Sequence, residues 1–172
     1  QDTISNIFGA TTVLLDRPFL VGDWIVIGGV EGEVMKIGLR TTLIRTSQDT
    51  VITMPNANLT NTPVENWGKR RFRRWQPIFK LDINSDPSKV SEFCEGVAGL
   101  IEEHKMTMKE ESSYAKISTL GPDAIDIGCN IYWDIKSAKV EREARDEFLT
   151  QVMGLGKSCE LNFHDNRRRH SS

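Results

Sequence analysis

The chain has 172 residues, of which 38% are hydrophobic and 27% are charged, as in an ordinary globular protein. This composition excludes collagen, low-complexity disorder and a disulfide-dense small domain, and no run approaches the roughly 18 apolar residues of a membrane span. The net charge of -2 conceals a basic cluster of charge +5 at residues 69–76, between two acidic stretches. Because the first residue is Gln1 rather than Met, we expect a fragment or a processed chain.

A helix is predicted over about the first twelve residues, because Ile4, Ile7 and Phe8 share one helical face. The small residue Gly9 in this segment would allow another helix to pack closely against it. Pro18 then ends the helix, since a proline biases the preceding residue away from helical backbone angles.

Residues 22–67 carry β-strand signals separated by turns. The apolar run Trp24–Ile27 ends at Gly28-Gly29, a pair typical of a hairpin turn with positive φ. A second β-rich stretch covers residues 33–45, where alternation with polar neighbours predicts a buried face formed by Met35, Ile37 and Leu39. Short strands with tight turns indicate a small, strongly bent barrel, with one helical turn over residues 56–62.

From Trp75 onward the predicted order is β-α-β-β-α-β, the split βαβ or ferredoxin-like arrangement. A half-buried strand over residues 75–84 precedes a helix with Asp86 as its N-cap and Pro87 in its first turn. Strands over residues 114–120 and 125–135 form a hairpin. A second helix begins after Ser137 and is ended by Gly154 and Gly156, and residues 159–163 form a last short strand.

The sequence shows no convergent set of reactive groups. The three cysteines are widely spaced, and the pattern predicts buried free thiols in Cys94, Cys129 and Cys159. The three histidines lack metal-ligand partners three or four residues away, so we expect no metal site and no cofactor.

The basic cluster is the one binding candidate, because its arginines alternate with aromatic residues. Arginines beside Phe72 and Trp75 are typical of surfaces that hold single-stranded nucleic acid by phosphate pairing and base stacking. The other interpretation is a linker whose charges pair with acidic neighbours or line an aqueous cavity. The absence of other basic patches in the sequence favours the second interpretation.

Five stretches carry ordered motifs: residues 1–6 (QDTISN), 17–25 (RPFLVGDWI), 29–34 (GVEGEV), 37–42 (IGLRTT) and the pair Pro55-Asn56. Together they resemble the small-conductance mechanosensitive channel family (MscS-like). The βαββαβ order that follows agrees with that family's layout and extends the resemblance to about residue 163.

The resemblance implies a homo-heptamer in a membrane, with transmembrane helices upstream of Gln1 and a pore helix that bends and continues into a cytoplasmic half. Seven copies would enclose a chamber with side portals. Membrane tension would open the pore, and ions and small osmolytes would leave during hypo-osmotic shock. This portion would then lie on the cytoplasmic side of the cell membrane (the inner membrane, if bacterial), and no nucleic-acid partner is expected.

The fold class that follows is α+β: a short N-terminal helix, a small Sm-like β barrel and a ferredoxin-like βαββαβ domain. We expect the end of the pore-lining helix at residues 1–15, the Sm-like β domain at 16–68, the α/β domain at 69–164 and a disordered tail at 165–172.

The resemblance also assigns roles to individual residues. Gln1, Ser5 and Gly9 fall on the second half of the pore helix, beyond its bend. A structural role in the β-domain motif falls to Pro18, Phe19, Gly22, Asp23, Gly32, Pro55 and Asn56. Four arginines fall at the joint where the family has its portals, and we hypothesise that they bias ion traffic: Arg70, Arg71, Arg73 and Arg74.

Two other functions remain open from the residues alone. One is a soluble Sm-like nucleic-acid-binding protein, which a salt-dependent RNA-binding assay would reveal. The other is a small enzyme on a ferredoxin-like domain, which the lack of a reactive constellation disfavours. The channel interpretation would be decided by a run of about 20 apolar residues upstream of Gln1.

Overall fold

The computed structural model describes residues 2–16, 18–109 and 112–165, with only the backbone of Asp2, Val13, Leu14 and Thr60. Three parts of the chain on which sequence expectations fall lie outside the described residues: Gln1, Arg17 and residues 166–172. The chain divides into two compact units on either side of the bond between Arg70 and Arg71.

The first unit is a helix followed by a five-stranded antiparallel sheet of order β4-β3-β2-β1-β5. Its elements are α1 (Asp2–Asp16), β1 (Trp24–Ile27), β2 (Val30–Ile37), β3 (Thr41–Arg45), β4 (Val51–Pro55), α2 (Asn56–Asn61), β5 (Val64–Asn66) and a 3-10 turn (Trp67–Lys69). The bent sheet closes around a core of Phe19, Ile25, Ile27, Val34, Ile44, Met54 and Leu59.

The predicted hairpin turn between β1 and β2 is confirmed, since Gly28 and Gly29 have φ angles of 55° and 81°. The predicted buried face of the next stretch is confirmed only for Ile37, which is partly buried against the core. Met35 is 37% exposed and Leu39 is 76% exposed, whereas Val34 is fully buried. An irregularity between Val34 and Lys36 shifts the pairing of β2 with β3, which reverses the faces of the residues that follow.

The second unit packs two helices on one face of a four-stranded antiparallel sheet. Its elements are β6 (Arg73–Trp75), β7 (Ile78–Asp82), α3 (Pro87–Glu103), β8 (Tyr114–Leu120), β9 (Ala124–Trp133) and α4 (Ala138–Ser158). The core lies between helices and sheet, and its largest fully buried side chains are Trp133, Phe93, Phe148, Leu81, Ile127 and Ile131.

The strand predicted over residues 75–84 begins at Arg73 and is interrupted at Gln76–Pro77, which gives β6 and β7. Both strands pair with β9 in one continuous register, from Arg73 opposite Trp133 to Asp82 opposite Ala124. Proline has no N–H to donate to the ladder, so β6 and β7 are separate strands, although the Pro77 carbonyl still accepts from the Cys129 N–H at 3.0 Å and the register does not shift.

Two expectations near the C-terminus are wrong. The helix does not stop at Gly154 or Gly156 but continues to Ser158, and Glu160 follows with a positive φ of 57°. Residues 159–163 form no full strand. A single antiparallel bridge joins Phe163 to Leu81, so the segment lies alongside β7.

The fold class predicted from the sequence is confirmed as α+β, with a short N-terminal helix, a small β domain and a ferredoxin-like domain. Among the described residues, no helix combines the length and the hydropathy that crossing a bilayer requires.

Candidate functional site: the helix-to-barrel junction and the basic cluster

Helix α1 is joined to α2 by a close contact between their backbones. A Cβ on Gly9 would stand 2.4 Å from the carbonyl oxygen of Asn56, so only glycine allows the helices to approach this closely. One turn earlier, Asn6 is 5% exposed, and its Oδ1 accepts a hydrogen bond of 3.0 Å from the N–H of Ala57. That bond satisfies one of the unpaired N–H groups in the first turn of α2.

Asn56 links this contact to the sheet. It is fully buried, its Oδ1 accepts from the Thr42 hydroxyl at 2.9 Å, and its Nδ2 donates to the Gly38 carbonyl at 2.8 Å. Its own N–H donates to the Arg40 carbonyl at 2.9 Å. Pro55, in extended conformation at the end of β4, precedes the first residue of α2. Asn56, which follows Pro55, therefore connects the start of α2 to β3 and to the turn between β2 and β3.

The loop from α1 to β1 forms a second polar cluster around Asp23. The Asp23 Oδ2 accepts from the Leu20 N–H at 2.9 Å and from the Asn66 Nδ2 at 2.8 Å. The same Asn66 amide donates to the Pro18 carbonyl at 3.0 Å. These bonds tie the end of the helix segment to β5, across almost fifty residues of sequence.

Three more motif residues have steric or apolar roles. Phe19 is fully buried and fills the core of the first unit. Gly22 has a φ of 94°, which a residue with a Cβ adopts only under strain. A Cβ on Gly32 would stand 2.3 Å from the Arg45 carbonyl oxygen, so β2 and β3 cross closely there.

The opposite side of α1 is apolar and exposed. Its exposed large side chains are Ile4 (66%), Ile7 (50%), Phe8 (70%) and Leu15 (76%). Ser5 is also exposed, beside this stripe. An amphipathic helix normally buries its apolar face, whereas α1 buries Asn6, Gly9 and Ala10 instead.

The arginines of the basic cluster have different environments. The guanidinium of Arg70 lies 5.6 Å from the Trp67 ring centroid, and that of Arg71 lies 5.2 Å from the Phe72 ring. Both arginines are exposed.

Arg73 is largely buried, with 16% of its side chain exposed. It donates to Glu141 Oε2 at 2.6 Å and to the carbonyls of Ile135 and Lys136 at 3.0 and 2.7 Å. These bonds hold β6 to the turn between β9 and α4. The side chain of Arg73 is therefore part of the fold of the second unit.

The cysteines and the partly buried histidine are core groups. All three cysteines are free and buried, as predicted, and burial raises the pKa of Cys129 to about 12. Burial likewise raises the pKa of Cys94 and of Cys159, so their thiols are poor nucleophiles at neutral pH. Burial lowers the pKa of His104, whose ring lies 5.0 Å from that of Trp133.

The ordered motifs of the first unit agree with sequence comparison. Residues 2–69 match the family described as the mechanosensitive ion channel β-domain. The small-conductance mechanosensitive channel MscMJ of Methanocaldococcus jannaschii is 37% identical over 108 residues, which are 63% of this chain and 31% of that protein. The chain belongs to the MscS-like family of mechanosensitive channels. A further MscS-like relative, an uncharacterised protein of Helicobacter pylori, is 33% identical over 120 residues, 69% of this chain and 19% of its own length.

Two solved structures have the same fold. Arabidopsis thaliana MSL1 superimposes with a TM-score of 0.87 at 17% identity, covering 96% of this chain and 60% of that one. Helicobacter pylori MscS in its closed state gives 0.79 at 20% identity, covering 96% and 63%. At these identities the likeness concerns the fold alone. The chain spans under two thirds of each of these structures.

Sequence reasoning missed the polar partners of the motif residues. Asn6, Asn66 and Glu141 each bond to a residue 48 to 68 positions away. The one available signal was Asn6, a polar residue between the apolar positions Ile4 and Ile7 of an MscS-like helix.

Proposed function

We propose that this chain is the cytoplasmic vestibule portion of a mechanosensitive channel subunit. The complete subunit opens under membrane tension and releases ions and small osmolytes in hypo-osmotic shock. It sits in the cell membrane through helices upstream of Gln1, and the portion described here lies on the cytoplasmic side. The family membership and the geometry of α1 support this proposal.

The attachment of α1 is the observation that carries it. The helix is held to the β domain by the Gly9–Asn56 backbone contact and by the bond from Ala57 to Asn6. A displacement of α1 therefore reaches α2 and the sheet without a flexible side chain in between. Its exposed apolar stripe is the surface that would face neighbouring subunits and the conducting path.

Self-association into a homo-heptamer is the second part of the proposal. Within the described chain, the edge strands β4 and β5 each pair with one neighbour only. Such edges carry unpaired N–H and C=O groups that a neighbouring copy can satisfy. Val51 on β4 is 48% exposed, so that edge also offers apolar surface.

The third part of the proposal is that exposed arginines at the joint bias the ions that pass. Arg70, Arg71 and Arg74 are exposed and would raise the local concentration of anions in an aqueous portal. Arg73 is held by Glu141, so most of its charge is compensated and it would contribute least.

The test of the channel uses the full-length subunit, expressed in cells that lack their own osmotic release channels. We expect seven copies by native mass spectrometry, pressure-activated currents in membrane patches, and survival of hypo-osmotic shock. Phe8→Glu places a charge in the apolar stripe and should abolish assembly or current, whereas Thr150→Glu, at an exposed position of α4 in the second unit, should leave both intact. Currents that are insensitive to pressure, or equal effects of both substitutions, would refute the proposal.

The test of ion preference replaces Arg70, Arg71 and Arg74 with glutamine and keeps Arg73. The reversal potential in a salt gradient should then shift in the direction that indicates a higher permeability to cations relative to anions. A control with equal loss of charge neutralises the exposed residues Lys105, Lys139 and Arg142. If the two triple variants shift the potential equally, the arginines at the joint have no special effect.

A further inference from the structure

The sheet of the second unit has one face that its own helices do not cover. Trp133, Ile131 and Cys129 on β9 point into the core beneath α3 and α4. The residues between them point the other way, because side chains alternate along a strand. The uncovered face therefore includes Tyr132, Asn130 and Gly128, with Arg74, Ile78 and Tyr114 beside them on the paired strands.

Arg74 is pre-organised on this face. Its Nε–H donates to Asn130 Oδ1 at 2.7 Å, and its guanidinium carbon lies 5.8 Å from the centroid of the Tyr132 ring. The Asn130 amide is itself oriented, because its Nδ2 donates to the Ser112 carbonyl at 2.8 Å and the residue is 3% exposed. A buried side chain thus holds an exposed arginine in one orientation.

The end of the guanidinium that carries Nη1 and Nη2 bonds to no side chain or carbonyl in the described part of the protein. The carboxylate of Asp126 is bound by Lys80 and lies six residues along β9 from Tyr132, about 20 Å away. Asp134, beyond the end of β9, forms no ion pair with Arg74 within the described residues. Two parallel N–H donors consequently face solvent with no internal carboxylate to satisfy them.

We propose that this face holds an oxyanion-binding site centred on Arg74, which takes a carboxylate or phosphate group between Nη1 and Nη2. A planar guanidinium matches both groups with two parallel hydrogen bonds, and stacking on Tyr132 keeps the fork in position. Lysine, a point charge with no fork, does not reproduce this geometry. The site requires only the fold of the second unit and is independent of channel activity.

The experiment titrates the purified chain separately with sodium phosphate and sodium glutamate, at constant ionic strength made up with sodium chloride. The readout is the NMR shift of the Arg74 Nε–H, fitted to a dissociation constant, together with calorimetry. We expect saturable binding of at least one of the two probes. Saturation by glutamate alone assigns the site to carboxylates, by phosphate alone to phosphates, and by both to oxyanions in general.

Three variants distinguish binding through the paired hydrogen bonds of Arg74 from a general effect of positive charge. Arg74→Gln and Arg74→Lys should each weaken binding by about tenfold or more, because both lose the paired hydrogen bonds to a charged group. Arg71→Gln removes the same charge three residues away and should change affinity less than twofold. Unsaturable shifts with both probes, full affinity in Arg74→Lys, or equal losses in Arg74→Gln and Arg71→Gln would overturn the proposal. Circular dichroism of each variant verifies that the exposed substitutions leave the fold intact.

Discussion

Replacing Gly9 with alanine tests whether α1 and α2 contact each other through their backbones. The new Cβ would stand 2.4 Å from the carbonyl oxygen of Asn56 and 2.7 Å from its carbonyl carbon. Both atoms belong to the main chain of a second helix, so no rotamer change relieves the overlap. Because an ordinary contact needs at least 3.4 Å, we expect the two helices to separate locally by roughly 1 Å.

Two opposing effects set the magnitude. Overpacking against a rigid neighbour costs about 2–3 kcal/mol, the upper part of its usual range. Alanine is more favourable than glycine within a helix by about 1 kcal/mol, which offsets part of that cost. The net loss in the stability of the α1–α2 contact is therefore about 1–2 kcal/mol. Gly99→Ala in α3 is the matched control, since a Cβ there meets nothing within 4 Å and should stabilise its unit by about 0.5–1 kcal/mol.

Amide hydrogen exchange at Ala57 measures this loss directly, because its N–H donates to Asn6 Oδ1 across the contact. Gly9→Ala should accelerate exchange at Ala57 about 5- to 30-fold, and Gly99→Ala should leave it unchanged. If Gly9→Ala instead stabilises the first unit as Gly99→Ala stabilises the second, with Ala57 still protected, the reasoning from backbone proximity is wrong.

Three further predictions concern buried groups. Asn56→Ala leaves the buried Thr42 hydroxyl and the partly buried Gly38 carbonyl without their partner and should destabilise the first unit by about 2–4 kcal/mol in chemical denaturation, whereas exposed Asn61→Ala should cost under about 0.5 kcal/mol. Glu141→Gln removes the carboxylate that pairs with two arginines and should destabilise the second unit by about 3 kcal/mol, against little change for exposed Glu143→Gln; equal effects would contradict the ion-pair argument. The folded-state pKa of Cys129 lies above its unfolded value of 9.0, so its contribution to stability is complete below pH 9 and is lost as pH rises toward about 12. Between pH 8 and pH 10 the chain should accordingly lose about 1 kcal/mol more stability than Cys129→Ala, in which the other two buried thiols still contribute, and equal losses in the two proteins would assign the effect to other groups.

Elements with local signals were predictable from the sequence. The start of α3 follows from Asp86 and Pro87, and the structure shows the Asp86 carboxylate accepting from the Ser88 N–H at 2.8 Å. The turn at Gly28-Gly29 likewise needs only the two residues that form it. In both cases the groups that determine the backbone conformation lie within two or three positions of one another, so the local sequence is enough to predict it.

Elements decided by tertiary contacts were not predictable. The irregularity after Val34 lies in the pairing of β2 with β3, so the strict alternation in the sequence placed Met35 on the wrong face although Ile37 packs against the core. The glycines near the end of α4 suggested a helix stop, yet a Cβ on Gly156 would stand 2.9 Å from the Phe163 ring. The lack of a side chain at Gly156 lets the Phe163 ring pack against the helix, and the sequence around Gly156 does not show this contact.

The candidate site also has residues that the sequence could identify and partners that it could not. The sequence was enough to identify the motif residues, because the family resemblance depends on the order of the motifs along the chain. Their partners were missed, since the bond from Asn66 to Pro18 and that from Arg73 to Glu141 span 48 and 68 residues. Only the folded chain shows that one of the four arginines supports the domain and that another, Arg74, is exposed and oriented.

The interruption at Gln76–Pro77 has a mechanical consequence. Three residue pairs and the side chain of Arg73 hold β6 to β9, whereas five pairs hold β7. Because the register is the same on both sides of the proline, β6 can detach and re-pair while every other pair of the sheet stays in place. Local opening of β6 would therefore add its three residues to the segment that follows Arg70 without shifting the register of β7.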